Sequence, residues 1–526
     1  MTDFFEILMI NSEFYLMIAY FLFFIICVIV NYRELAKEFK KISKTAVLFL
    51  LFSLLLFSMI NVFVVRHEFI IVDDESEQFD IARNMALYGK SCACDSMING
   101  SCGSCSLRVP FPGKPFINSL MFIIFGVNEF TPFAISFFFG ALSIIAVFFA
   151  VYIFTHDWVS ASISAFLISI LPIFLKISGS SALECVSLFF VVLGIACLGL
   201  FINRPSTKTF LLLISEIALT LSFRPENLLL PLIFSIFLIL SGEKKVIICI
   251  KKNWKLAILL ILLAVPFISR AIYGSIKDDG WNQSAHNLWS IFKDNIKNNE
   301  SFFLNNKLHP VIYTLFAVIG LFLMRTYNAD KKKFVLLNIM LALFFFLFFN
   351  FFIYGQFFEI NCISSWRYAL LSSVFISILA ALPLAWIFKK IKIKWIIALI
   401  LIVILISCFS FFWFLRYRHI LQYLKEFIIE NDDKIPRECV FLSPYISFVS
   451  PIYSLPSINR SFVTNESFLK APMPECILSL ASGKARPPIG WNYSEFLRGD
   501  EISYLGETWE KHISAFVIYN ISENFK

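Results

Sequence analysis

Long apolar runs alternate with short charged turns along most of the chain. Twelve runs are candidates, at roughly 14–31, 45–65, 130–154, 158–175, 182–202, 208–223, 227–241, 254–271, 310–325, 334–354, 367–388 and 395–415. A helix needs about 20 mostly apolar residues to cross the hydrocarbon of a bilayer. The pattern therefore predicts an all-α polytopic membrane protein with about 12 transmembrane helices. The range is 11–13, because three of the runs stand close together. A β-barrel would show segments of about ten residues with alternating polarity instead. The first run lacks the basic leader and small-residue cleavage site of a secretory signal and reads as a permanent span.

The turns give an orientation. Lys and Arg crowd the turns 32–44, 242–255, 325–333 and 389–394. With twelve spans these four turns fall on one side, which the positive-inside rule makes cytoplasmic. Three longer segments then lie on the opposite, extracytoplasmic face: 66–129, 272–309 and 416–526. The last has Pro and Gly punctuation and short apolar runs, and predicts a small C-terminal α/β domain. The expected division is thus a membrane domain over 1–415 and a soluble domain over 416–526.

Composition agrees and removes other classes. Of 526 residues, 59% are hydrophobic, 16% charged and 64 are Phe, and the mean hydropathy is +0.78. A water-soluble globule of that make-up would expose far more apolar surface than a monomer tolerates. A disordered chain and a nucleic-acid binder are excluded as readings of the whole chain.

Candidate chemistry gathers at the outer ends of the spans. After the second run comes VDDESEQFDIARNMALYGK, in which Asp73, Asp74 and Glu75 stand at the membrane edge. Phe79, Ala82, Met85 and Ala86 follow at helical spacing, predicting an amphipathic helix lying on the surface. The acids suit either a cap on that helix or a catalytic role. Lys114, in PFPGKPF, is fixed by stiff backbone on both sides and reads as a ligand group or an interfacial anchor. Glu184 opens a span, Arg224 and Glu226 close a turn, and Arg367 stands on the side that otherwise avoids basic residues. Ionisable residues at the membrane are costly, which makes function the default reading; a local ion pair is the plainer one for Arg224 with Glu226. Carboxylates facing Lys and Arg at a lipid interface suit a phosphate-bearing lipid. Asp278, Asp279 and His286, in the 272–309 loop, suit either a cover over an acceptor groove or a solvated loop.

Four of twelve Cys, namely Cys92, Cys94, Cys102 and Cys105, fall within CACDSMINGSCGSC. Outside the cytoplasm this favours two disulfides, and tetrahedral zinc is the alternative. Cys439 with Cys476 is a candidate for a further bridge. Cys27, Cys185, Cys197, Cys249 and Cys408 lie in or near spans and read as packing residues.

The order of these motifs resembles the GT-C superfamily of integral-membrane glycosyltransferases. Asp74-Glu75 precede Ile81-Ala82-Arg83; then come Lys114-Pro115-Phe116, GVNEF, Ala182-Leu183-Glu184, Arg224-Pro225-Glu226, His309-Pro310 and Arg367-Tyr368. Within the superfamily the pattern is most similar to the protein O-mannosyltransferase and aminoarabinose-transferase branch, whose motifs run D-E-x-x-(Y/F), K-P-P, L-T-D, a basic turn and R-Y. The resemblance spans roughly 45–390. This chain departs from it in having K-P-F for K-P-P and Glu184 where Asp is common. The C-terminal segment carries no matching motif. W-W-D-x-G is absent, which disfavours the oligosaccharyltransferase branch.

The resemblance implies transfer of a sugar from a polyprenyl-phosphate donor to an acceptor hydroxyl on a protein, glycan or lipid. Asp74 is implied as the base, with Asp73 the alternative by one register and Glu75 beside them. Lys114, Arg224, Arg367 and His309 are implied to bind the donor phosphate. Glu184 and Arg83 are implied to position the acceptor or the other charges, or, for Glu184, to hold a divalent metal. Direct displacement would invert the anomeric centre. The expected address is the plasma membrane, with the active site on the extracytoplasmic side. The rival readings are a lipid or solute transporter, which would want ionisable residues at mid-span and broken helices, and a non-catalytic scaffold.

Overall fold

A computed structural model describes residues 2–67, 72–98, 101–107, 111–277, 288–299, 302–304, 309–352, 366–390, 404–405, 415 and seven short strands between 439 and 520. In chain order the helices are α1 (Thr2–Val30), α2 (Tyr32–Phe39), α3 (Lys44–Phe63), α4 (Val72–Tyr88), α5 (Gly113–Phe125), α6 (Phe130–Thr155), α7 (Trp158–Ser169), α8 (Pro172–Ser178) and α9 (Glu184–Asn203). They continue as α10 (Thr207–Thr220), α11 (Leu230–Ser241), α12 (Lys244–Lys252), α13 (Trp254–Lys277), α14 (Leu288–Asn299), α15 (Val311–Phe322), α16 (Ala329–Phe352) and α17 (Leu370–Lys390). Backbone contacts divide the chain into two units. One comprises Met1–Leu16, His67–Phe133 and Tyr417–Lys526; the other comprises Met17–Arg66 and Ala134–Arg416.

The second unit is helical. Helix forms within every predicted run it contains up to 388. Among the described residues, however, seven helices are long and apolar enough to cross a membrane, or eight if the bent pair α7–α8 is one span. The predicted count of 12 is not reached there. α10, with 14 residues, rises only about 21 Å against roughly 30 Å of hydrocarbon. The run 395–415 lies outside the described residues except for 404–405 and 415.

Local chemistry sets the ends of these helices. Ser43 caps α3 by accepting from the Ala46 N–H, and Ser206 and Thr209 form a reciprocal capping box on α10. Gly242 ends α11 in the left-handed region, at φ 65°, where a side chain would be strained. Between α7 and α8 the axis turns by 63°. Pro172 opens α8 without an N–H to donate and pushes Leu171 into extended backbone. Asn61 of α3 braces this break, donating to Ser178 Oγ at 2.5 Å.

The basic turns meet acids at one end of this unit. Asp157 caps α7 and takes Lys331 at 2.6 Å and Lys389 at 2.7 Å. Lys333 pairs with Glu243, and Arg204 pairs with Glu34 and Glu38 of α2. Turns 242–255 and 325–333 and Lys389 therefore share one end, as the alternation of spans requires. Mid-span positions are not wholly apolar: Glu216 of α10 is fully buried, accepts from Thr220 at 2.6 Å, and fits only because Gly194 has no side chain.

The first unit combines α4, α5, the start of α1 and a sheet. Strands β1 (Ala93–Ile98) and β2 (Ser101–Ser106) form an antiparallel hairpin. It joins the C-terminal strands β3 (Cys439–Leu442), β4 (Ser457–Ile458), β5 (Cys476–Ser482), β6 (Ser494–Arg498) and β9 (Phe516–Asn520) in the order β2-β1-β4-β3-β5-β9-β6. β7 (Ile502–Leu505) and β8 (Lys511–Ser514) pair separately. Cys439 and Cys476 are Cα partners in the parallel β3–β5 ladder, although their side chains lie outside the described residues. α4 is present as predicted, but it does not lie on a surface with one face free. Gln78 through Met85 are all buried, because α5 covers one side and the hairpin another.

Candidate active site

In the first unit, α4 and α5 pack against each other. Phe79 meets Phe122 with ring centroids 5.1 Å apart, and Ala86 and Val127 pack against the same cluster. Glu75 stands one turn before Phe79 on α4, and Asn118 and Lys114 stand one and two turns before Phe122 on α5. The acidic motif and the Lys-Pro motif, some 40 residues apart in sequence, thus each start one helix of a packed pair. Asp73 and Asp74 occupy the first turn of α4; their side chains lie outside the described residues. Glu75 is fully buried and Arg83 is buried. Lys114 is 1% exposed, so it is enclosed and does not snorkel as an interfacial anchor would.

Two residues here were passed over in the sequence. Gln78 and Asn118 are buried, and among the described residues all four of their amide atoms lack a hydrogen-bond partner. Unsatisfied buried amides are rare and mark places where water or a ligand is expected. Only long-range packing reveals them, since neither breaks the local pattern.

The Cys cluster frames this region. Cys92 and Cys105 form a disulfide with Cα atoms 5.7 Å apart, so these sulfurs are not thiolate ligands. Cys94 is also disulfide-bonded. Cys102 lies on β2 opposite Met97, with its side chain outside the described residues. The Cys94 N–H donates to Asp80, and Asn84 donates to the Cys92 carbonyl at 2.8 Å, which ties the hairpin to α4. Ser91 donates to Glu13, and the Leu107 N–H donates to Glu6 at 2.9 Å. Both ends of the hairpin are therefore held by α1. Among the described residues no group of three or more His, Cys, Asp or Glu side chains is placed to hold a metal ion.

The second unit brings Glu184, Arg224 and Arg367 together. Arg224 donates to Glu184 at 3.0 Å and pairs with Glu226, while Arg367 Nε lies 3.6 Å from the same Glu184 oxygen. All four are buried, with two cations against two carboxylates. The local Arg224–Glu226 pair is present, and Glu184 adds a long-range bridge between two arginines. Aromatic rings cap the arginines: Arg224 Cζ lies 5.1 Å from the Tyr368 ring and 5.6 Å from Phe349, and Arg367 lies 4.7 Å from Tyr368. Buried and stacked in this way, guanidinium groups are pre-organised for planar anions.

Lys176 escaped notice because it is a single charge inside an apolar run. It is 1% exposed on α8, just after the break. His309 sits in an aromatic cage, with Phe303 at 5.3 Å and Tyr313 at 5.8 Å, both edge-on. Burial pushes its pKa down to about 3, so it is a neutral imidazole. Asp278, Asp279 and His286 lie outside the described residues.

Comparison with known proteins places this arrangement. Residues 109–270 match the family model of dolichyl-phosphate-mannose-protein mannosyltransferases, a stretch that contains Lys114, Glu184 and Arg224. The archaeal oligosaccharyltransferase AglB from Archaeoglobus fulgidus, solved with an inhibitory peptide and a dolichol-phosphate, superimposes with a TM-score of 0.54 at 14% identity. That match covers 83% of this chain and 69% of AglB. ArnT from Cupriavidus metallidurans in the apo state gives a TM-score of 0.52 at 12% identity, over 90% of this chain and 97% of ArnT.

The fold is that of AglB and ArnT.

No curated protein matches the chain by sequence. The GT-C likeness bears out the resemblance read from the motifs, and with it a multi-pass membrane protein. The likeness to AglB is one of fold; this chain lacks W-W-D-x-G.

Proposed function

We propose that this protein is a glycosyltransferase that moves a sugar from a polyprenyl-phosphate donor to an acceptor hydroxyl on a protein, glycan or lipid. The reaction takes place at the extracytoplasmic face of the plasma membrane. The observation that carries this reading is the buried, ring-capped cluster of Arg224 and Arg367 around Glu184, whose guanidinium groups suit a phosphate. AglB was solved with a dolichol-phosphate, and a carrier of that class is the donor proposed here.

The chemistry needs few groups. A phosphate leaves without being protonated, so one carboxylate suffices to take the acceptor's proton. Asp74 is proposed as that base, with Asp73 the neighbour one register away. The acceptor oxygen attacks the anomeric carbon as the carbon–phosphate oxygen bond breaks, and the centre inverts. Lys114 neutralises the charge that gathers on the departing phosphate. Arg224 and Arg367 are proposed to bind the donor's phosphate as well, with Glu184 as the positioning residue that holds both guanidinium groups. His309, being neutral, contributes a hydrogen bond rather than a charge.

The test is a donor-turnover assay on purified protein with polyprenyl-phosphate sugars and a membrane extract as acceptor source. Release of free polyprenyl phosphate should fall by about 10²–10⁴-fold in Asp74→Asn. Full activity in both Asp74→Asn and Asp73→Asn would sink the assignment. The alternative, a lipid or solute transporter, draws on Glu216 and the α7–α8 break. It predicts movement of labelled lipid across vesicles with no product made.

A further inference from the structure

α12 has 9 residues, too few to cross a bilayer, and stands between α11 and the start of α13, where a membrane span begins. Both of its ends are fixed. At its start Glu243 pairs with Lys333. At its end Asn253 donates to the Cys249 carbonyl at 2.8 Å and accepts from Thr207 Oγ1 at 3.0 Å. Val246 is fully buried, so one side of the helix is turned into the protein and the other is held facing out.

The outward side has a definite pattern. At about 3.6 residues per turn, Lys244, Lys245, Ile248, Lys251 and Lys252 fall within an arc of about 120° opposite Val246. All five are exposed, Ile248 by 65%. Ile248 lies at the middle of the arc, with Lys244 and Lys251 on one flank and Lys245 and Lys252 on the other. Trp254, also exposed, follows at the start of α13.

The charge on this face is unmatched within the protein. At the same end of the unit, Lys331 and Lys389 are matched by Asp157, and Lys333 by Glu243. Glu243 is the single acid of the turn 242–255 and is thereby already paired. Among the described residues none of the four α12 lysines has an ion pair. Like charges one turn apart repel one another, and an anionic surface relieves that repulsion. Ile248 decides the kind of anion. An inorganic anion gains nothing from an apolar centre, whereas a layer of lipid headgroups offers charge to the ammonium groups and the acyl border to the isoleucine. An exposed tryptophan at the start of a span belongs at that same depth.

We propose that the outward face of α12 is a binding surface for anionic phospholipid headgroups, in which Lys244, Lys245, Lys251 and Lys252 hold the phosphates around Ile248. The surface is separate from the arginine cluster. Thr207 starts α10 and Arg224 follows its end, so the two stand at opposite ends of that helix. Lipid recognition here is thus independent of the glycosyl-transfer reading and survives or fails without it.

The experiment titrates the purified full chain in detergent with phosphatidylglycerol and, separately, with phosphatidylcholine of the same acyl chains. Native mass spectrometry reads the Kd of the first bound lipid. Wild type should prefer phosphatidylglycerol by about tenfold or more, because each lysine near an anionic surface contributes severalfold. In K244Q/K245Q/K251Q/K252Q the preference should fall to about twofold or less, and in K244R/K245R/K251R/K252R, which keeps the charge, it should remain. No preference in wild type overturns the proposal. An equal preference in wild type and the Gln variant overturns it too, and would assign the anionic lipid to another part of the protein. Loss in the Arg variant as well as the Gln variant also overturns it, since charge is then not what holds the lipid.

Discussion

His309 has no hydrogen-bond partner on either ring nitrogen among the described residues, and is walled in by Phe302, Phe303 and Tyr313. The folded chain keeps it neutral down to about pH 3, whereas the unfolded chain binds a proton below the ordinary value of 6.5. The unfolded state therefore holds more protons between those values, and stability falls as pH falls through that window. Thermal unfolding of purified protein from pH 7 to pH 4 should show a shallower loss in His309→Phe than in wild type. Parallel curves for the two proteins would show that the imidazole contributes nothing to the acid sensitivity.

At the scale of elements, Asp157 ties the start of α7 to the start of α16 and the end of α17. Burial alone would raise its pKa, but hydrogen bonds from Lys331 and Lys389 outweigh it and hold the carboxyl at about 2. Its stabilisation is present above the ordinary carboxylate range and is lost as pH falls through about 2. Asp157→Asn keeps the helix cap but leaves Lys331 without its counter-charge. Lys389, with a side chain 49% exposed, is screened by water and contributes less. The substitution should cost about 2 kcal/mol and lower the melting temperature at pH 7. An unchanged melting temperature would mean that the junction is not a structural tie. The helices themselves were legible in the sequence, because an apolar run long enough to cross a bilayer leaves few alternatives. The charged ends of Glu184, Arg224 and Arg367 were legible as candidates as well. Their pairing was not: Arg224 and Glu184 are 40 residues apart, and no local period encodes which ends converge. The same holds for Asn299 with Asn350. The bend at Pro172 was missed because the run 158–175 is almost entirely uncharged and its single proline leaves the hydropathy high.

For the molecule as a whole, the least expected feature is that the Cys hairpin and the C-terminal strands make one sheet. β1 pairs with β4 through Ser96 with Ile458 and Met97 with Ser457. Among the described residues β1 is therefore an inner strand of the seven-stranded sheet, with β2 and β6 at its edges. Deleting 417–526 would turn β1 into an edge with unpaired backbone groups. Amide hydrogen exchange over 93–98 should be slow in the full chain and faster by at least about tenfold in the deletion. Equal exchange rates in the two would show that the hairpin is protected by its own pairing and disulfide alone. Sequence could divide the chain at the last run of apolar residues but could not join pieces across it. A strand's partner is set by three-dimensional return of the chain, not by its neighbours.

That sheet also imposes a schedule on synthesis. The hairpin leaves the ribosome some 360 residues ahead of β4, which at about 5–20 residues per second is roughly 20–70 s. During that wait β1 offers a bare edge to any extended chain nearby. The Cys92–Cys105 link needs nothing from the C-terminal strands, so it can close as soon as the hairpin reaches an oxidising compartment. The staple then acts first as a placeholder in time, keeping a half-built edge in register until the strand that completes it has been made.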